Sequence, residues 1–357
     1  MVQLQVQFAR RAIAVLALVL LAWPGLPARA QGTKLSETGS TLIYPLFQLW
    51  IADYAKVAPD VTLTATGTGS AMGIAAAVNK EAEIGASDAY MSDEQAEQNP
   101  EIVDIPVAIS AQTVNYNIPD LNDAGLKLDG RVLARIYRGR ITEWDAAPIV
   151  ALNPGVKLPH QPIVPLRRAD GSGDTFIFTQ FLDFADQDWE DRLGYGMTLK
   201  WPDVAGERAV TGNEGMVTAL VKTPYSVGYV GVSFHQAMAK AKLGTARLAN
   251  QAGKFLLPTP ETIQAAASEL DSRTPPDERL SLVYAPGDDS YPLINYEYVV
   301  VSTRQADPKT AAALRHFLLW AVSLEGGNAG TYLDRVGFVP LPDFIRAISE
   351  QQIARIQ

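Results

Sequence analysis

The sequence predicts an α/β fold in two lobes, and three observations support this. Short apolar runs of strand type alternate with amphipathic helical patterns, the order expected of a sheet flanked by helices. The chain has 357 residues, of which about 327 follow an N-terminal leader, more than one hydrophobic core usually supports. No unit recurs at a period of roughly 20–50 residues, which argues against a repeat architecture.

The leader comes first. Arg10 and Arg11 precede the apolar run Ala12–Trp23, which stops at Pro24-Gly25, and Ala28-Arg29-Ala30 has the small-x-small pattern of a signal peptidase site. A membrane-spanning helix needs about 20 apolar residues, so this run is too short for a stable anchor. It reads as a secretory signal over residues 1–30, cut near Ala30, leaving a periplasmic or secreted protein.

The elements follow in order. Ile43, Leu46, Phe47, Trp50, Ile51 and Tyr54 fall at helical spacing, with Pro45 in the first turn or two and an end near Pro59. Val61–Ala65 reads as a strand, Thr66–Ser70 as a glycine-rich turn, the next stretch to about Lys80 as a helix, and Ile84–Ser87 as a short buried strand leading to Asp88. Thr113–Ile118 alternates like a strand and Gly130–Tyr137 reads as a short helix. Ile163–Leu166 is a strand, 167–174 a polar turn and Thr175–Phe184 a helix. A similar unit follows, with the turn Gly212–Gly215, the helix Met216–Lys222 and the strand Val227–Val230. Gln251–Glu278 reads as an irregular surface excursion. Ile294–Val301 is taken as the longest strand-type run, before helices over Lys309–Ser323 and Phe344–Ile356.

Composition narrows the chemistry. There are 39 acidic against 30 basic side chains, a formal net charge of −9. Removing the leader takes three Arg and no acid, giving −12. Such a charge argues against nucleic-acid binding, which needs a basic face. The absence of Cys excludes disulfides, thiolate metal sites, cysteine nucleophiles and lipid attachment through an N-terminal cysteine. The three His, at 160, 235 and 316, have no ligand spacing, so neither a metal nor a cofactor is expected. Outside the cytoplasm ATP and NADH are scarce, which argues against a kinase or dehydrogenase.

Three places share one plan, in which a small hydroxyl residue sits where a turn becomes a helix. They are Ser40-Thr41, Gly67-Thr-Gly-Ser70 and Gly171-Ser-Gly-Asp174. The first N–H groups of a helix have no internal partner and carry partial positive charge, and glycines let backbone approach a ligand, so each is suited to an anion. Each is equally suited to plain N-capping. Other motifs fail. Gly67–Gly73 is one residue too long for the dinucleotide fingerprint, and there is no Gly-Lys-Ser/Thr, no Gly-x-Ser-x-Gly and no Ser-x-x-Lys. Asp170–Asp174 lacks the third ligand and terminal Glu of an EF-hand.

Together, Thr-Gly-Ser-Thr (38–41), Gly-Thr-Gly-Ser (67–70), Ile-Gly-Ala-Ser-Asp-Ala (84–89), Leu-Asn-Pro-Gly (152–155), Arg-Arg-Ala-Asp-Gly-Ser-Gly (167–173) and Gly-Asn-Glu-Gly (212–215) resemble the periplasmic phosphate-binding proteins of phosphate-specific ABC importers. The resemblance runs from about Leu35 to Asp343. Residues 173–180 and 282–292 look nearest the mycobacterial branch. It implies a type II-like two-lobed fold with phosphate in the cleft, a monomer that traps phosphate by lobe closure and hands it to the membrane permease of an ABC importer. Lobe 1 would comprise 33–114 and 294–357, lobe 2 would comprise 115–293, and the crossings near Gln112–Asn117 and Tyr291–Tyr296 would be the hinge.

Carried over by position, Ser40, Thr41, Leu42 (by its N–H), Ser70, Asp88, Arg168, Ser172 and Gly173 would bind phosphate, and Asp170 would hold Arg168. Asp174 stands where the commoner family pattern has Thr, and is assigned to the ligand, with helix capping as its alternative role. Phosphate near neutral pH keeps a proton that Asp88 can accept, whereas fully ionised sulfate meets that carboxylate with repulsion only. Three other readings are open: a receptor for sulfate, phosphonate or molybdate, a secreted phosphatase using Ser70 or Ser172, and a scaffold without ligand.

Overall fold

The computed structural model describes residues 32–357, so the leader expected over 1–30 lies outside the described residues. The chain runs β1 (Thr33–Gly39), α1 (Tyr44–Val57), β2 (Val61–Gly67), α2 (Ser70–Val78), β3 (Ile84–Ser87), α3 (Asp93–Gln98) and β4 (Ile102–Asn117). Then come β5 (Lys127–Leu128), α4 (Gly130–Tyr137), α5 (Ala147–Leu152), β6 (Val164–Arg168), α6 (Gly173–Ala185), α7 (Gln187–Glu190), β7 (Arg208–Val210), α8 (Gly212–Lys222) and β8 (Ser226–Gly231). The last part holds α9 (His235–Lys240), β9 (Gly244–Thr245), β10 (Arg247–Ala249), β11 (Phe255–Leu256), α10 (Pro260–Ser268), β12 (Ile294–Ser302), α11 (Pro308–Val322), α12 (Gly330–Val336) and α13 (Asp343–Ala354).

One mixed sheet has the order β2-β1-β3-β12-β4-β8-β6-β7, with β9 also on β4, and β11-β10-β5 form a small second sheet. β4 joins two half-sheets. Its residues Ile102–Ala111 run antiparallel to β12, and Gln112–Asn117 run antiparallel to β8. Within each half, β1 is parallel to β2 and β3, and β6 is parallel to β7 and β8. The carboxyl ends of parallel strands are where open α/β sheets hold ligands, because helix N-termini and turn backbone gather there.

The α/β expectation is met, and three local readings are corrected. The longest strand is the 16-residue β4, not the 9-residue β12. Fifteen of its residues are buried, so it is covered on both faces and shows no alternation before Thr113, and Pro106 breaks the strand pattern further. Gln251–Glu278 lies at the surface but is not irregular throughout, since it contains α10, whose Ile263, Ala266 and Ala267 are buried. Both helices after the later glycine turns start earlier than expected, at Gly173 and Gly212, which moves Asp174 and Asn213 from a turn into a first helical turn.

Packing fixes the helices that carry strand ends. Leu46, Phe47, Trp50 and Tyr54 form the buried face of α1, with Pro45 in the first turn where no N–H is needed. Trp50 packs edge-on to Phe317, its Nε1 donates to the Gly327 carbonyl at 3.0 Å, and Tyr54 Oη lies 2.7 Å from His316 Nδ1. Truncating such an aromatic costs about 3–5 kcal/mol, so α1 is rigidly seated behind β1.

Candidate functional site

β1, β2 and β3 bring their carboxyl ends together, and the chain leaves them as Ser40, Thr68–Ser70 and Asp88. Their closeness depends on glycine. A Cβ on Gly39 (φ +147°) would stand 2.0 Å from the Ala86 carbonyl oxygen, so only glycine allows β1 to end against β3. Ser40 Oγ accepts from the Leu42 N–H (2.9 Å) and the Ile43 N–H (3.3 Å), ordering the entry to α1. Leu42 N–H, expected on the ligand, therefore has an internal partner, while the buried Leu42 side chain lies against Gly231.

Asp88 is the centre of this half. Its Oδ1 accepts from Ser40 Oγ, and its Oδ2 accepts from Ser70 Oγ at 3.1 Å, while its own N–H donates to Ser70 Oγ at 3.2 Å. All three residues are buried. Burial first, and then the negative Asp174, push the Asp88 carboxyl up to about 7, against the pull of Ser40, Glu297 and Arg168. Ser70 is the first residue of α2, following the N-cap Gly69, so its hydroxyl is not used up in capping.

The other half supplies charge from the ends of β6 and β7. Arg168 donates through Nε to Asp170 Oδ1 (2.7 Å), through Nη2 to Asp170 Oδ2, and through Nη1 to Asp174 Oδ2 (2.6 Å). Burial works against this cation, but the Asp170 and Asp174 carboxylates hold it above the ordinary arginine range. Asp170 is opposed by burial too, yet Arg168 keeps it below the usual carboxylate range. Asp174 is fully buried, and its Oδ1 also accepts from Gln112 Nε2 at 2.8 Å and its Oδ2 from Asn213 Nδ2 at 2.7 Å. It does not cap α6. The cap is Ser172, whose hydroxyl accepts from the Thr175 N–H at 3.3 Å.

The two halves meet directly. Ala71 N–H donates to the Gly171 carbonyl at 3.1 Å, and Thr41 Oγ1 accepts from Asn213 N–H (3.2 Å) and Nδ2 (2.9 Å). Gly173 faces Asp88 and Ser70, and a Cβ there would stand 2.6 Å from Asp88 Cβ, Asp88 Oδ2 and Ser70 Oγ. Every residue expected at the site thus lies at one of these strand ends or in the helix turns that follow them. Serine hydroxyls, helix-start N–H groups and one guanidinium supply donors, and two buried carboxylates supply acceptors. Such a set can bind an oxyanion that still holds a proton. Among the described residues, no group of three or more His, Cys, Asp or Glu is placed to hold a metal.

Sequence reasoning missed five buried polar side chains. Asn213 bridges Thr41 and Asp174, and its Oδ1 also accepts from the Gly231 N–H at 2.8 Å. Gln112 holds Asp174. Tyr229 Oη accepts from the Arg168 N–H at 3.0 Å. Asn295 and Glu297 lie behind Asp88. A signal existed for Gln112 and Glu297, since each is a strongly polar side chain within a strand-type run, and a buried polar group must have a partner.

Two half-sheets sharing one long strand, with polar strand ends converging between them, define the two-lobed binding proteins as a class. Residues 27–325 match the model of the PBP superfamily domain. The phosphate-binding protein PstS of Methanocaldococcus jannaschii is 33% identical over 338 residues, covering 90% of this chain and 85% of that protein. Phosphate-binding protein PstS 3 of Mycobacterium leprae is 31% identical, covering 88% and 84%. The chain belongs to the PBP superfamily and, within it, to the family of these PstS proteins. The same fold occurs in a solved high-affinity periplasmic phosphate-binding protein bound with phosphate (TM-score 0.71, 19% identity, 88% and 92% covered).

Proposed function

We propose that this protein is a non-catalytic extracytoplasmic receptor that binds inorganic phosphate between its lobes and presents it to the permease of an ABC importer. The observation that carries the reading is Asp88, a buried acceptor between two serine hydroxyls and facing a second half that contains Arg168. A site for a fully ionised anion would not contain it. Relatives named for phosphate binding, about one third identical over nearly the whole chain, support the same ligand.

In this reading Ser40, Thr41, Ser70, Ser172 and the Gly173 N–H turn toward the phosphate oxygens, and the Leu42 N–H exchanges its Ser40 Oγ acceptor for one of them. Arg168, its Nε edge fixed by Asp170, contributes the positive charge. Asp88 and Asp174 accept the remaining phosphate protons. A carboxyl pushed up to about 7 is a stronger acceptor than an ordinary carboxylate and suits a phosphate proton of similar acidity. Sulfate offers no proton, so two negative groups would face each other in a dry site, costing several kcal/mol or about a thousandfold in affinity. The surrounding charge matters little, because at ~0.15 M salt distant carboxylates are screened beyond about 8 Å.

Lobe 1 comprises 33–114 with 294–357 and lobe 2 comprises 115–293, joined through β4 near Gln112–Asn117 and by the return crossing near Tyr291–Tyr296, and closure brings Gly173 onto Asp88. The mature protein acts as a monomer outside the cytoplasm, after loss of the leader near Ala30. Isothermal titration of the mature, phosphate-stripped protein tests the reading. Phosphate should bind with micromolar or tighter affinity and keep that affinity in excess sulfate. No heat with phosphate, or equal competition by sulfate at pH 8, would overturn it. A phosphatase would instead turn over a chromogenic phosphate ester above a Ser172→Ala control.

A further inference from the structure

Glu297 is the single charged side chain of β12, and it is completely buried. It sits at the point where the β12–β4 register shifts, between Glu297 opposite Ala108 and Tyr298 opposite Pro106. Its Oε1 accepts from Ser110 Oγ at 2.5 Å and from Asn295 Nδ2 at 3.0 Å. Its Oε2 is equally buried and has no nitrogen or hydroxyl donor. The same Asn295 amide donates to the Asp88 carbonyl at 3.3 Å, so one donor links the two acids, and the buried Glu297 and Asp88 carboxyls act on each other directly.

Two fully buried carboxyls that act on each other this strongly do not both ionise, so the pair holds a proton. The surroundings decide where it resides. Asp88 has the hydroxyls of Ser40 and Ser70 and the positive Arg168 to favour its charge, with Asp174 as the opposing acid. Glu297 has two neutral donors on one oxygen and none on the other. No cation is among the groups that act on it, and β4 contributes only the Ser110 hydroxyl. Oε2 is the oxygen that no donor occupies, so it is the one free to carry a proton shared with the neighbouring Asp88 carboxylate.

We propose that Glu297 is a specificity-positioning residue, which keeps a proton on Oε2 and donates that hydrogen bond to Asp88, so that Asp88 stays an ionised acceptor for a protonated oxyanion. Burial first, and then the charge of Asp88, hold Glu297 well above the usual carboxylate range, in keeping with this arrangement. Glu297 in turn is one of the groups that pull Asp88 down against burial and Asp174. Without that bond Asp88 is protonated at higher pH. A protonated Asp88 is a donor, and a donor at that place admits sulfate. The consequence for selectivity rests on the phosphate reading above; the location of the proton does not.

Two variants and one spectroscopic measurement test this. Glu297→Leu removes the bond yet leaves Asn295 with the Tyr296 carbonyl and Ser110 with Asn295 Oδ1, so no buried donor is orphaned. Glu297→Gln keeps a donor toward Asp88. At pH 7.5 the Leu variant should bind phosphate about tenfold more weakly or worse, and sulfate should compete about tenfold more strongly than with the parent. The Gln variant should restore both. Infrared spectra of the ligand-free parent at pH 8 should contain a protonated-carboxyl carbonyl band that Glu297→Gln lacks. Absence of that difference, or a Gln variant as permissive to sulfate as the Leu variant, overturns the proposal. Failure of the parent to bind phosphate would instead overturn the receptor reading and leave the infrared result standing.

Discussion

Gly173→Ala separates lobe closure from folding. Gly173 is the first residue of α6, where alanine is a better helix former by up to about 1 kcal/mol. The added Cβ would stand 2.6 Å from Asp88 Cβ, Asp88 Oδ2 and Ser70 Oγ, all across the cleft. Ordinary carbon contacts lie near 3.5–4.0 Å, so the strand ends must part by about 1 Å. Overpacking of this kind costs about 1–3 kcal/mol, which corresponds to roughly five- to 150-fold weaker phosphate binding. The clash exists only when the two halves are together, so the ligand-free protein should melt no lower than the parent. Gly215→Ala in α8 is the control, because its nearest neighbour would be Val210 Cβ at 3.8 Å; it should raise stability by up to about 1 kcal/mol and leave affinity unchanged. Calorimetric titration and a melting curve on each variant decide the matter. Affinity within twofold of the parent for Gly173→Ala, or a loss matched by a lower ligand-free melting point, would refute the closure argument.

Asp88→Asn should weaken phosphate binding less than Arg168→Ala and should relax the rejection of sulfate, read by competition titration at pH 8; an Asn variant that excludes sulfate as well as the parent contradicts the account of selectivity. Arg168→Ala leaves Asp174 buried without its cation, so about 3–5 kcal/mol of stability should vanish along with binding, measured by urea unfolding. Asn213→Ala orphans the Gly231 N–H and removes a donor from Asp174, for an expected loss of about 1–3 kcal/mol in stability and tenfold or more in affinity. Burial pushes Asp104 up to about 7 and Glu278 up to about 8. A carboxyl raised above its unfolded value binds its proton more tightly in the folded state, so its contribution is complete below about pH 4 and is lost as pH rises through 7 to 8. The ligand-free protein should therefore be more stable at pH 5 than at pH 8, and Asp104→Asn should flatten the decline between pH 5 and 7 by about 1.4 kcal/mol per pH unit; an unchanged slope would show that Asp104 is ionised in the folded state.

Much of this protein is decided locally. Ser172 caps α6 and Pro45 opens α1 for reasons contained in a few neighbouring residues, so the alternation of strands and helices and the glycine-hydroxyl turns were legible in the chain itself. What β4 does was not legible, because a strand covered on both faces loses the alternation that marks a strand, and it carries Ser110 and Gln112. The partners of the site's acids were not legible either. Gln112 reaches Asp174 across 62 positions, Asn213 reaches Thr41 across 172, and Asn295 reaches Asp88 across 207. Local chemistry can specify which residue starts a helix and which can face an anion. Which buried acid shares a proton with which depends on the register of β12 against β4 and the order of strands between them, and sheet pairing between distant segments fixes that only in the folded chain.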